Sequence, residues 1–332
     1  MIERLQKNNL GIAILVFLLA LAVRIFAIVF MHPSPYTGGN TIITGMVYYV
    51  NQFTWLSFVI SFGLVVLQAL IISETCVHTG LVQGGGYMGA YFFLLINSLF
   101  MGNFLLSEFQ IGNLFAFAGL RLMIRLREGY NTQVLFYAGL FFGLSLLVVP
   151  DHLWIIVFLV IAVLVYKTIV VKDVLAIVFG LGLPYYFVSS INYIFRLHNE
   201  PVDVVTNMND SLKNIVKMGL LPNYSYVIFG IFLLVAVFGL LRQLGNYYKN
   251  NTDVRRSITL MAMFFVYSLF MLLLHWKEME SFYLLMGFPL TVFLSSFFND
   301  ERVSWWKDMV NVLLMALIVF SLFGDVFLKN FI

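Results

Sequence analysis

The chain has 332 residues, 61% of them hydrophobic and 11% charged, with a formal net charge of +3. Soluble domains carry about 45–50% apolar and about 25% charged residues, so this chain lacks the charge to clothe a water-facing globule, and its apolar excess must meet membrane lipids. No basic patch is dense enough to neutralise a run of phosphates, which excludes nucleic acid as a partner, and the single cysteine, Cys76, excludes an internal disulfide or a Cys/His zinc motif. The composition predicts an all-α fold: a polytopic integral membrane helix bundle forming a single transmembrane domain over residues 1–332.

Arg4 and Lys7 precede an apolar stretch from Leu10 to Met31. It is longer than a signal h-region of about 7–15 residues and no small-residue cleavage site follows, so it reads as a retained first span. Further apolar runs near the ~20 residues that cross a bilayer lie near 54–73, 87–106, 111–124, 133–149, 152–166, 173–195, 224–242, 257–275, 281–298 and 308–328. The expected number of spans is about eleven. The runs at 111–124, 133–149 and 152–166 are short or tightly joined, and a re-entrant segment among them widens the count to 10–12.

With eleven spans and a cytoplasmic N-terminus, the cytoplasmic segments hold Arg4, Lys7, Arg121, Arg125, Arg127, Lys167, Lys172, Arg242, Lys249, Arg255, Arg256, Arg302 and Lys307. The outer side holds Arg196, Lys213, Lys217, Lys277 and Lys329, and Arg24 falls inside a span. This bias follows the positive-inside rule; the loop at 74–86 is the weak point, being cytoplasmic here without Lys or Arg. Two outer loops are long. The one near 32–53 begins with Pro33, Pro35 and Gly38-Gly39 and continues into TIITGMVYYV, a segment expected to lie at the interface. The one near 196–223 contains SLKNIVKMGLL, with Leu212, Ile215, Val216 and Leu220 at amphipathic helical spacing, which reads first as an interfacial helix. The Gly-rich QGGGYMG at Gln83–Gly89 lacks the Lys and Ser/Thr of a phosphate-binding loop and reads as a turn.

Ionisable groups in a bilayer are costly and are therefore functional candidates. Arg24 lies in the outer half of the first span, where it either snorkels to the headgroups or binds an anion. The turn SEFQ carries Glu108, VVPDHLW carries Asp151 and His152, and HWKEMES carries His275, Lys277, Glu278 and Glu280. With His32, these share the outer face in the predicted topology. A carboxylate or imidazole there suits a general base, or a divalent metal held with a neighbouring His. The plainer reading is that turns reaching water are polar, and that Asp151 caps the next helix. Glu74 and His78 share a helix face at i, i+4 as a cap or ion pair; with Cys76 they are too few for a metal site, and none is assigned. No cofactor is legible. Asn97, Asn103, Asn113, Gln68 and Gln110 are expected to join helices through hydrogen bonds, Gly139 and Gly143 to mark close helix packing, and Gly180, Gly182 and Pro184 to kink or break a span. The five histidines make no di-iron histidine boxes, and no G-x-S-x-G or H-E-x-x-H motif occurs.

The stretches IGNLFAFAGLRLMIRLREGYNTQVLFYAGLFFGLSLLVVP, KDVLAIVFGLGLPYYFVSSINYI and FPLTVFLSSFF resemble an uncharacterised family of bacterial inner-membrane proteins, over most of the chain from about residue 90. More distantly, the Arg in the first span, the long first outer loop and the polar outer turns resemble GT-C-type glycosyltransferases, which use lipid-phosphate-linked sugars. That superfamily usually places a catalytic acid in the first outer loop, whereas no acidic residue lies between Glu3 and Glu74 here. The resemblance therefore implies Glu108 or Asp151 as base, with His152 beside it, and Arg24, His275 and Lys277 holding a polyprenyl-phosphate-linked substrate. The alternative classes are a non-enzymatic scaffold or assembly component binding other envelope proteins, and a transporter.

Overall fold

The computed structural model describes residues 10–31, 42–82, 87–126, 132–166, 171–195, 224–275, 279–299 and 305–329. Among these the structure is all-helical and without strands. The α-helices are α1 (Leu10–Met31), α2 (Ile42–Asn51), α3 (Thr54–Thr79), α4 (Met88–Asn97), α5 (Glu108–Ile124), α6 (Thr132–Val148), α7 (Ile155–Tyr166), α8 (Val171–Phe195), α9 (Tyr224–Gly245), α10 (Thr252–Leu274), α11 (Met279–Phe298) and α12 (Trp305–Lys329). Short 3-10 turns cover Met101–Phe104, Pro150–Trp154 and Tyr247–Lys249. Among the described residues, six segments are long and apolar enough to cross a membrane: Thr54–Thr79, Val171–Ile191, Tyr226–Gly245, Thr252–Leu274, Met279–Phe298 and Trp305–Leu322.

The centre of the bundle is α11. Its residues from Phe282 to Ser295 are all buried, and α4, α5, α9 and α10 pack around it. Burial on every side explains why its sequence is apolar all round rather than striped. The periphery is equally apolar: Phe179, Tyr186, Phe238, Val59 and Val266 are each more than half exposed. Soluble monomers rarely expose contiguous apolar surface on this scale, and the pattern matches hydrocarbon as the outer solvent.

The run near 87–106 differs from the continuous span its hydropathy predicts. It is a buried ten-residue helix, α4, followed by an interruption from Ser98 to Ser107. Ten residues rise about 15 Å, half the ~30 Å hydrocarbon thickness. The interruption persists because neighbouring side chains answer its backbone. Ser57 Oγ accepts from Leu106 N at 2.8 Å, and Asn51 Nδ2 donates to Leu106 O at 3.1 Å. Ser61 Oγ and Gln110 Nε2 both donate to Asn103 O, at 3.3 and 2.6 Å. Gln68 donates to Gln110 O at 2.6 Å. Of the amides expected to join helices, Gln68, Gln110 and Asn103 do so largely through backbone groups, Asn97 accepts from Arg24, and the buried Asn113 side chain makes no hydrogen bond among the described residues.

The break expected at Gly180, Gly182 and Pro184 is absent: α8 runs unbroken through Pro184. Gly180 serves packing instead. A side chain there would strike the backbone of α6 at Phe136 and Leu140, while a Cβ on Gly139 would lie 2.6 Å from Ile177 O and one on Gly143 2.6 Å from Leu181 O. Small residues on both helices let α6 and α8 meet backbone to backbone, as the GxxxG spacing predicts. The interfacial segment expected near 41–50 is the helix α2, which lies against α3 and α5. The amphipathic segment at 196–223 lies outside the described residues.

At one end of the bundle, Glu74 on α3 pairs with Arg121 and, at 3.0 Å, with Arg125, both from the last turn and cap of α5; His78 stands 3.7 Å from the same oxygen. The i, i+4 pair read from sequence is thus the edge of a larger cluster. Replacing Gly143 by Ile meets backbone rather than a movable side chain, so G143I is expected to destabilise the folded protein by about 1–3 kcal/mol. The check is a lowered thermal midpoint in detergent, with Gly182→Ala, which meets open space, nearly unchanged.

Candidate functional site

At the other end of the bundle the α6–α7 connection is the 3-10 turn Pro150–Trp154, and Pro150 at its first position fixes where α6 stops. The turn carries Asp151 and His152 inward, toward the end of α10. His275, which caps α10, has Nε2 3.7 Å from Asp151 Oδ1 and Nδ1 3.2 Å from Met271 O. Its ring lies flat on Phe282 of α11, with centroids 4.0 Å apart and planes at 12°. His152 is fully buried, with Phe109 and Phe282 edge-on to its ring. Its Nδ1 is 2.9 Å from Ser145 Oγ, while Nε2 is buried without a hydrogen-bond partner.

The sequence-predicted residues therefore fall into three groups. Asp151, His152 and His275 converge. Glu108 opens α5 one residue before Phe109, is 6% exposed, and accepts a hydrogen bond from the Thr44 hydroxyl of α2. Helix α2 thus reaches the candidate base. Arg24 is apart from these. It is fully buried, its Nη2 donates to Asn97 Oδ1 at 2.5 Å and Asn97 O at 3.4 Å, and its guanidinium sits over Phe104 and Phe62 at 5.1 and 5.6 Å. This excludes snorkelling to the headgroups. Its Nε and Nη1 have no hydrogen-bond partner. Tyr283, beside Phe282 on α11, connects the two regions: it donates to Asn97 O at 3.4 Å and accepts from Asn103 at 3.1 Å. His32, Lys277 and Glu278 lie outside the described residues. Among the described residues no three His, Cys, Asp or Glu side chains form a metal-binding group.

Ser145, Phe282 and Tyr283 belong to this region but were not singled out from sequence. Ser145 lies on α6 and His152 in the turn beyond Pro150, so no helical spacing links them in the sequence. Phe282 and Tyr283 give no signal either in a chain with 35 Phe and 17 Tyr.

Burial pushes the His152 imidazole down to about 4, against the opposing pull of Asp151 and with a further push from His275. The ring is neutral in the folded protein at neutral pH. A depressed folded value makes its contribution to stability complete above the unfolded pKa of about 6.5, and that contribution falls as pH drops toward 4, because the unfolded chain then binds the proton first. The thermal midpoint is therefore expected to fall between pH 6.5 and 4, and to fall less steeply in His152→Gln, as measured by a pH series of melts in detergent.

No curated protein and no solved structure matches the chain. A family of unknown function, DUF6427, matches residues 18–328, nearly the whole length, and the chain belongs to that family.

Proposed function

We propose that the chain is a multi-pass enzyme of a bacterial inner membrane, crossing it about eleven times with a cytoplasmic N-terminus, and that it transfers a group from a lipid-linked phosphate at the outer face. The observation that carries this reading is the pairing of His275 with Asp151 next to buried His152. With Nδ1 donating to Met271 O, the neutral form of the His275 ring has its lone pair on Nε2. A proton taken there from an acceptor hydroxyl creates an imidazolium facing the Asp151 carboxylate, the arrangement of a general base with its stabilising acid. Asp151 is 27% exposed and His275 7%, so a substrate at the rim reaches the pair from the Asp151 side. Glu108 is a second candidate base. The buried Arg24, with two unpartnered nitrogens, suits a phosphate oxygen, and Lys277 would add a second cation.

Helix direction supports the crossing number. α3 and α5 end together at Glu74, whereas α6 and α10 end together at Asp151 and His275. Counting α4 with its 3-10 continuation as one crossing, the alternation of α1, α3, α4, α5, α6, α7, α8, α9, α10, α11 and α12 gives eleven. The Lys and Arg distribution then favours the Glu74 end as cytoplasmic.

A transporter is the second reading, favoured by the interrupted helix at Ser98–Ser107, since discontinuous helices build substrate sites in many transporters. The experiment is transfer from a labelled polyprenyl-phosphate sugar by protein in lipid nanodiscs. Transfer by the wild type is expected, with His275→Gln slower by about 10²–10⁴-fold and Asp151→Asn also slowed. Absent transfer by the wild type, or full transfer by both variants, rejects the enzymatic reading.

A further inference from the structure

The end of the bundle opposite Asp151 holds a cavity of about 280 Å³ lined by His78, Thr79, Ile124, Arg125, Leu126, Asp253 and Ser257. Three helices make it: the C-terminal turn of α3, the end of α5, and the N-terminal turn of α10. Gly80, in the left-handed conformation at φ 68°, ends α3 and keeps this corner open, with Val254 beside it.

The cavity is lined by both signs of charge. Its Arg125 and His78 share, with Arg121, a single carboxylate, that of Glu74. Arg121 and Arg125 reach the same Glu74 oxygen, so among the described residues positive charge exceeds negative there, and Arg125 gives Glu74 only Nη2. Asp253 lines the same cavity, exposed on the first turn of α10. Its side chain forms no ion pair with Arg125 or His78 among the described contacts. The hydroxyls of Thr79 and Ser257 donate to the carbonyls of Thr75 and Asp253, so neither has a proton left to give an anion, and Arg125 supplies that donor. Ile124 and Leu126, both buried, give it an apolar wall.

A simple anion would meet Asp253, and a simple cation would meet Arg125. A zwitterion with phosphate and ammonium a few bonds apart satisfies both charges. We propose that this cavity binds a phosphate–ammonium zwitterion of the phosphoethanolamine class, with phosphate on Arg125 and His78 and ammonium on Asp253. The group comes either from a lipid headgroup, its acyl chains running along the apolar flank of the bundle, or from free phosphoethanolamine. This site is independent of the outer one, and its test does not use transfer activity.

The experiment uses the full chain in nanodiscs and reads retained lipid by native mass spectrometry. Phosphatidylethanolamine is compared with phosphatidylglycerol, which keeps the phosphate and lacks the ammonium. The wild type is expected to retain phosphatidylethanolamine about threefold better, the size of a partly exposed ion pair. Asp253→Asn is expected to abolish that preference while leaving phosphatidylglycerol retention unchanged or raised. Arg125→Gln is expected to weaken both lipids, and Arg125→Lys, which keeps the charge and guards against misfolding, to restore them. Competition by soluble phosphoethanolamine at millimolar concentration assigns the site to the free compound; its failure alongside lipid retention assigns it to the headgroup. Equal retention of the two lipids by the wild type without competition by phosphoethanolamine, or a preference that survives Asp253→Asn, overturns the proposal.

Discussion

The arrangement depends on how an interrupted helix satisfies its backbone. With hydrocarbon as the surrounding solvent, each unanswered N–H or C=O costs several kcal/mol, so the ten residues between α4 and α5 cannot stand alone. Asn51, Ser57, Ser61 and Gln110 contribute one or more hydrogen bonds each to that segment, and Gln68 holds Gln110 in turn. These side chains come from α2, α3 and α5, so the interruption ties three helices together rather than weakening one. Asn103 extends the tie to α11 through Glu280 O and Tyr283.

The candidate site inherits its position from that tie. Because the interruption delivers the chain to Ser107, whose side chain caps α5 by accepting from Gln110 N, α5 begins with Glu108 and Phe109 at the level of the α6–α7 turn. Phe109 then meets both His152 and Phe282. Gly112 lets the same helix approach Val149, just before that turn. A fully helical 87–106 would displace Glu108 along the bundle and remove Phe109 from the imidazole cluster. The second constraint, the glycine contact of α6 and α8, acts on the other side of the same turn by fixing the helix that presents Ser145 to His152.

Helix existence was legible because 20-residue hydropathy is a strong signal, and the ends of α5, α6 and α9 fell within a few residues of the hydropathy runs. Asp151, His152 and His275 were legible as polar residues at turns. Their meeting was not, because it requires knowing that α6 and α10 end at the same level. The interruption after Asn97 was invisible for a different reason: SLFMGNFLLS is apolar enough to read as span, and what breaks it is the supply of partners on α2, α3 and α5, which hydropathy does not register. Pro184 and its glycines misled in the opposite direction. Proline costs a helix one hydrogen bond, and neighbours can absorb that loss in a membrane bundle, so a Gly-Pro pattern there predicts tight packing as readily as a break.

Arg24 raises the question of how a guanidinium is kept fully buried with no carboxylate among its described partners. A cation at the centre of a membrane helix costs about 2.5–3.5 kcal/mol on insertion scales. Against that, its bond to Asn97 is worth about 1.5–3 kcal/mol as a charged hydrogen bond. The C-terminal end of α4, where Asn97 lies, carries the negative pole of the helix dipole, worth about 0.3–1 kcal/mol to a nearby cation. The Phe62 and Phe104 faces contribute about 2 kcal/mol when desolvated. These contributions offset the insertion cost without any bound anion. The fold therefore holds the charge in place before a ligand arrives, and Nε and Nη1 remain uncommitted. A preorganised cation of this kind binds an anion without first breaking an internal ion pair, which is the property a phosphate site on this helix requires.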